Sequence, residues 1–214
     1  MSGRRVMDDV RRALGRRHAR GGAVTAPPDI DEHVVRLVHS DIGLPELFTR
    51  VARQNQMLVD SVRADELAGA LIDSLRSHAC RRIALSGGVT SRGCGGALRA
   101  FDVKPWDEMS PDELYDFDAA VTDVRFAVAE TGSLVIVGSA AHGRSLSLVP
   151  PVHVAIVEPR QILPDLVDLF YQRARDNVRR NSVIITGPSK TADIEMNLVT
   201  GVHGPGVVHV LLIQ

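Results

Sequence analysis

Residues 152–157, VHVAIV, are apolar on both faces of an extended chain except at His153. A strand with one wet face alternates apolar and polar side chains, so this run must be covered on both sides. Helices packed on the two faces of a mostly parallel sheet provide that cover. Pro150 and Pro151 set a stiff entry to the strand.

The rest of the chain supplies matching parts. Short aliphatic runs at 82–86, 119–122, 126–128, 134–137, 182–186 and 207–213 read as strands. The segment AETGS joins two of them as a hairpin or strand–turn–strand. Residues 64–79 predict an amphipathic helix, with Leu67, Ala68, Leu71, Ile72 and Leu75 on one face. Helices are also expected over 162–180 and 191–200, and one or two over 45–60. Residues 101–117 read as loop, with a short helix after Ser110 and Pro111. The expectation is an α/β fold, a mostly parallel sheet with helices on both faces, in one domain over 30–214. Ahead of it, residues 1–29 read as an Arg-rich helical arm and a flexible linker. Val6, Val10 and Leu14 give the arm one apolar stripe suited to packing on the domain or on a second subunit in a homo-oligomer, while its basic residues suit an acidic partner or a membrane surface.

Composition narrows the function. The chain has 214 residues, 44% of them apolar, which is enough for one substantial core. A net charge of -1 gives no drive toward nucleic acid or membrane. The longest apolar runs are strand-sized, so no transmembrane segment is expected. Cys80 and Cys94 are the only cysteines and show no metal-ligand spacing, so no metal or cluster built by this chain alone is expected. Two free thiols and the lack of a visible signal peptide fit the cytoplasm.

Three polar turns stand out. In AETGS, Glu130 and Thr131 precede Gly132 and Ser133, which sets a carboxylate on a tight turn open to close approach. Glu130 there is a candidate nucleophile or general base, or else a turn acid bonded to nearby amides. In HGRSLSLVPPVH, Arg144 can grip a carboxylate or phosphate. His142 sits in a polar loop, and His153 reads first as a satisfied core histidine. In ITGPSKTADIE, a strand runs through Gly187, Ser189 and Lys190 into the expected helix. Helix amides, Lys190 and a cap from Ser189 or Thr191 would make an anion site, with Asp193 and Glu195 matched to the helix dipole. Without a ligand the same residues are a well-capped helix and a surface lysine. His203 and Gly204, in GVHGPG, close the set. Together the turns read as one small-anion site. A fourth stretch, GGVTSRGCGG at 87–96, reads as a flexible loop rather than a phosphate cradle.

The blocks AETGSLVIVG, RSLSLVPPVHVAIVEP and ITGPSKTADIEMNLVTGVHGP, followed by an aliphatic last strand, resemble the lactate-utilisation protein C family, the LUD domain. The resemblance covers 119–213 well and 41–85 loosely. One departure is Ala120–Arg125, where the family usually has a Gly-Ile/Val-Thr-Gly-Ala stretch. The resemblance implies a fold related to ribose-5-phosphate isomerase, glucosamine-6-phosphate deaminase and CoA-transferases. It implies a part in oxidising L-lactate to pyruvate beside two iron–sulfur proteins, which would hold the clusters. It also sharpens Glu130, because Glu130-Thr131-Gly132 is similar to the Glu-x-Gly turn of CoA-transferases. A stand-alone acyl- or sugar-phosphate enzyme and a non-catalytic interaction module remain alternatives.

Overall fold

The structure is a computed structural model and describes residues 9, 13, 43–88, 93–139, 142–175, 181–192, 198–200 and 203–214. Contacts divide the chain into Met1–Val35 and Arg36–Gln214. In the first unit Asp9 and Ala13 are helical. The rest of the expected basic arm, and the linker over 21–29, lie outside the described residues.

The second unit is built on a six-stranded sheet. Its strands are β1 (Leu58–Val62), β2 (Arg82–Leu85), β3 (Asp102–Pro105), β4 (Ala119–Asp123), β7 (Val152–Val157) and β12 (Val207–Ile213), in the order β1-β12-β7-β4-β2-β3. Every pairing is parallel. The doubly apolar β7 is central and buried at every position. Its even residues Val154 and Ile156 face α2 (Leu67–Ser77), beside Leu71, Leu75 and Leu211. Its odd residues Ala155 and Val157 face α1 (Leu44–Gln54), beside Phe48, Ala52 and Val210. Each Val, Ile or Leu buried here contributes about 1.5–3 kcal/mol before the entropy of ordering the chain is subtracted.

A second sheet was not anticipated as a separate layer. It orders β8 (Ile162–Leu163), β5 (Phe126–Val128), β6 (Ser133–Val137) and β9 (Ser182–Ile185) as β8-β5-β6-β9. One face, with Ala127, Leu134, Ile136 and Ile185, joins the core around α1. The other carries Val128 and Val135 against Leu169 of α3 (Leu166–Arg175).

Several elements differ from the sequence reading. The sequence pattern favours helix where β1 forms and loop where β3 forms. These strands are the two edges of the sheet, where Asp60, Asp102 and Lys104 break the apolar pattern, and charged edge strands are how sheets avoid pairing with other chains. The helix expected from residue 162 starts at Leu166, because Pro164 disfavours helical backbone before it. The Asp165 carboxylate accepts from the Asp168 amide at 2.8 Å in that first turn. The described residues of the stretch expected as a helix over 191–200 are strand instead, and 193–197 lie outside the described residues. Strands β10 (Lys190–Ala192) and β11 (Leu198–Thr200) pair antiparallel, Lys190 opposite Thr200 and Thr191 opposite Val199. The β-branched Thr191, Val199 and Thr200 favour that outcome. Among the described residues no helix is long and apolar enough to cross a membrane.

Candidate functional site

The first turn is the β5–β6 hairpin. The Glu130 amide donates to Pro164 O at 2.9 Å, and Asn55 Nδ2 donates to Thr131 O at 2.8 Å. The Ser133 hydroxyl donates to Thr131 Oγ1 and lies 2.8 Å from Thr186 Oγ1. Gly132 has φ +60, and a Cβ there would fall 2.5 Å from the backbone N of Ala52. The glycine is therefore required by close docking on α1. The Glu130 carboxylate is half-buried and makes no hydrogen bond or ion pair among the described residues.

The other turns meet nearby. Gly187, at φ +124, would place a Cβ 2.5 Å from Asn55 O. The Ser189 amide donates to Pro205 O at 2.8 Å, and a Cβ on Gly204 would lie 3.3 Å from that of Ser189. Pro151 O accepts from Gly206 and Val207. Asn55 precedes β1, Pro151 precedes β7 and Gly206 precedes β12, so this cluster lies at the amino edge of the parallel sheet. Thr131, Gly132, Ser133, Gly187, Ser189 and Gly204 are thus brought together. Lys190 and His203 are exposed, and Lys190 makes no ion pair with Glu130. Lys190 and Thr191 open a strand, so no helix end supplies amides for an anion there. Asp193 and Glu195 lie outside the described residues.

Arg144 is elsewhere. It is exposed, opens a 3-10 helix over Arg144–Ser147, and lays its stem on Gly138. Its neighbour Gly143 lies under the Trp106 ring, where a Cβ would fall 2.1 Å from Cζ2. Trp106 follows the last residue of β3, which puts Arg144 on the carboxyl-edge side.

The carboxyl edge holds polar groups that sequence reasoning passed over. From β2 the chain goes outward to β3, then returns to β4 on the other side of β2 and continues inward. Open α/β sheets bind ligands outside the carboxyl ends at such a switch point. β2 ends into Ser86, Gly87 and Gly88, and β4 ends on Thr122 and Asp123. Ser86 Oγ lies 3.4 Å from Asp123 Oδ2, and that oxygen fills the place of a Gly88 side chain: a Cβ would fall 1.0 Å from it. The only sequence signals were an acid closing a buried strand and the Ser-Gly-Gly after another.

Two histidines lie beneath this edge. His153 is fully buried, with Nε2 2.8 Å from Thr122 Oγ1 and no partner for Nδ1. Burial, helped by His142, pushes its pKa down to about 3. The expectation of a satisfied core histidine holds for one ring nitrogen only. His142 Nε2 is also buried without a partner. Burial lowers its pKa, and the Asp123 charge opposes the shift. Neutral imidazoles beside a carboxylate can accept or donate a proton to a hydroxyl group. Among the described residues no three His, Cys, Asp or Glu side chains are grouped to hold a metal ion.

The LUD domain family model matches residues 107–213. The chain is 28% identical to "Lactate utilization protein C" of Halalkalibacterium halodurans, covering 93% of this chain and 92% of that one. It is 32% identical to "Lactate utilization protein C" of an Exiguobacterium species, covering 82% and 80%. Its fold is similar to a crystal structure of a DUF162 family protein from Deinococcus radiodurans, with TM-score 0.60 and 24% identity over 80% of this chain and 96% of that one.

Proposed function

The chain belongs to the LUD-domain family, and we propose that it serves the oxidation of L-lactate to pyruvate as the ligand-handling member of a set whose other proteins carry iron–sulfur clusters. The observation that carries this reading is the nearly end-to-end likeness to the Halalkalibacterium protein named for lactate utilisation. The polar groups at the carboxyl edge around Asp123 support a small hydroxycarboxylate as the ligand. Arg144, exposed and without an ion pair among the described residues, offers paired donors to a carboxylate. The neutral His142 ring near Asp123 offers a proton acceptor to a hydroxyl. The oxidation releases two electrons and two protons; clusters on the partners would take up the electrons, His142 would take the hydroxyl proton, and the second proton would go to solvent.

A second reading is a stand-alone acyl- or sugar-phosphate enzyme working through Glu130. Its support is that the Glu130 carboxylate makes no hydrogen bond or ion pair among the described residues. The docking of Gly132 on α1, however, accounts for the glycine of that turn without a ligand.

Deleting the gene is expected to abolish growth on L-lactate and spare growth on pyruvate. Complementation should fail with Arg144→Ala or His142→Ala and succeed with Glu130→Gln. Undiminished growth of the deletion strain on L-lactate overturns the reading. Failure of Glu130→Gln alone favours the second.

A further inference from the structure

A cleft of ≈ 930 Å³ lies between α1 and the carboxyl-end residues of β1 and β12. Pro159, Leu212 and Ile213 give it an apolar floor, and Thr49, Arg50 and Arg53 line it from α1. Small-molecule sites span about 300–1,000 Å³, so this cleft suits a molecule much larger than a three-carbon acid.

Two arginines in it stand without a carboxylate partner among the described residues, as Arg144 does elsewhere. Arg63, Arg82, Lys104 and Arg160 each pair with a carboxylate. Arg50 and Arg53 make no ion pair among the described residues, although Glu46 lines the same cleft. The two arginines are three apart on α1 and so project from the same side of the helix. Arg53 is also held in place: its Nη2 donates to Val59 O at 2.6 Å, a carbonyl of the edge strand. That bond uses one corner of the guanidinium and leaves further donors for another acceptor. A fixed fork beside a second cation, over an apolar floor, is complementary to a molecule charged at one end only.

We propose that this cleft binds an amphipathic organic anion, its carboxylate, sulfonate or phosphate head on Arg50 and Arg53 and its apolar body along Leu212, Ile213 and Pro159. The cleft shares no lining residue with the groups around Asp123, and its fate does not depend on the growth test above.

The full chain is titrated with 8-anilinonaphthalene-1-sulfonate and with its uncharged analogue N-phenyl-1-naphthylamine. Saturable binding of the sulfonate, one per chain, is expected, with clearly weaker binding of the neutral probe. Arg50→Glu should weaken sulfonate binding about tenfold or more, and Arg50→Gln somewhat less, as for loss of a charge-assisted contact. Arg99→Glu, a charge reversal near the α2 side of the sheet, should leave it unchanged. Amide NMR signals of residues 49–54 and 212–214 should shift on binding. Decanoate should displace the probe, whereas acetate and inorganic phosphate should not. Equal affinity in wild type and both Arg50 variants, equal binding of the neutral probe, or displacement by acetate or phosphate as strong as by decanoate would each overturn the proposal. Arg50 is exposed, so both variants are expected to fold, which their thermal melts check.

Discussion

Nε2 of His209 lies 2.9 Å from Oδ2 of Asp60. The other ring nitrogen, Nδ1, lies 2.7 Å from the Ser74 hydroxyl on α2. A carboxylate only accepts, so in the neutral ring Nε2 carries the proton, Nδ1 accepts and Ser74 donates. Ser74 and His209 are buried, whereas the Asp60 side chain is 62% exposed. Ser74→Ala strands a buried acceptor and is expected to cost about 1–3 kcal/mol. Asp60→Asn should cost less, because water screens and replaces the exposed partner. Urea melts of the two variants, compared at unchanged slope, check the ranking.

Gly132 separates the structural from the catalytic reading of the β5–β6 turn. At φ +60, with backbone atoms of Val51 and Ala52 within 3 Å of any added Cβ, alanine forces α1 and the hairpin apart. Gly132→Ala is expected to cost about 2–4 kcal/mol, as overpacking and backbone strain combine. Glu130→Gln, two residues away from that contact, should change stability by no more than about 0.5 kcal/mol. A Gly132→Ala protein as stable as wild type would mean that the turn is not docked on α1 as described.

Legibility in the sequence followed burial. The doubly apolar β7 and the aliphatic β12 were readable because every position in β7, and all but the ends of β12, is covered. The edge strands were not, because Asp60 or Lys104 looks alike in an edge strand and in a loop. The stretch after Gly187 misled for another reason. Glu195, Met196 and Leu198 favour a helix locally, while the pairing of Lys190 with Thr200 is a choice between distant residues. The candidate site at the carboxyl edge suffered most. Residues 86, 123, 142 and 153 gather only because β4 returns to the inner side of β2, and nothing local in the chain announces that turn-back. The amino-edge turns were easier to notice, since Gly132 and Gly187 are needed there for backbone packing.

The two thiols should behave as core groups. Burial pushes Cys80 up to about 11 and raises Cys94, with Asp118 and Asp123 adding to the effect respectively. The thiolate is the reactive form, so both should react slowly with a disulfide reagent at pH 8 and promptly in denaturant. Fast native labelling of Cys94 alone would show that the glycine-rich segment around it opens. Fast labelling of both would contradict their burial against Leu71 and Leu98.

Acid should unfold the protein through its histidines before its carboxylates matter. His153 goes from 6.5 in the unfolded chain to about 3 in the fold, because burial disfavours the cation. Between those values the unfolded state binds the extra proton, so stability is full above about pH 6.5 and is lost as pH falls toward 3, at up to about 1.4 kcal/mol per pH unit for each such histidine. His142 and His78 are lowered by burial too and act in the same direction. The main carboxylate contribution comes later, since Glu113, held by Lys104, shifts from 4.5 to about 2. Denaturant melts between pH 7.5 and 5 therefore isolate the histidines. Wild type should lose stability over that range once the pH falls through about 6.5, and His153→Gln, which keeps a polar group toward Thr122 but cannot titrate, should show a shallower slope. An unchanged slope in His153→Gln would mean that His153 is already protonated in the fold, and with it the neutral, partner-seeking ring beneath the carboxyl edge would be lost.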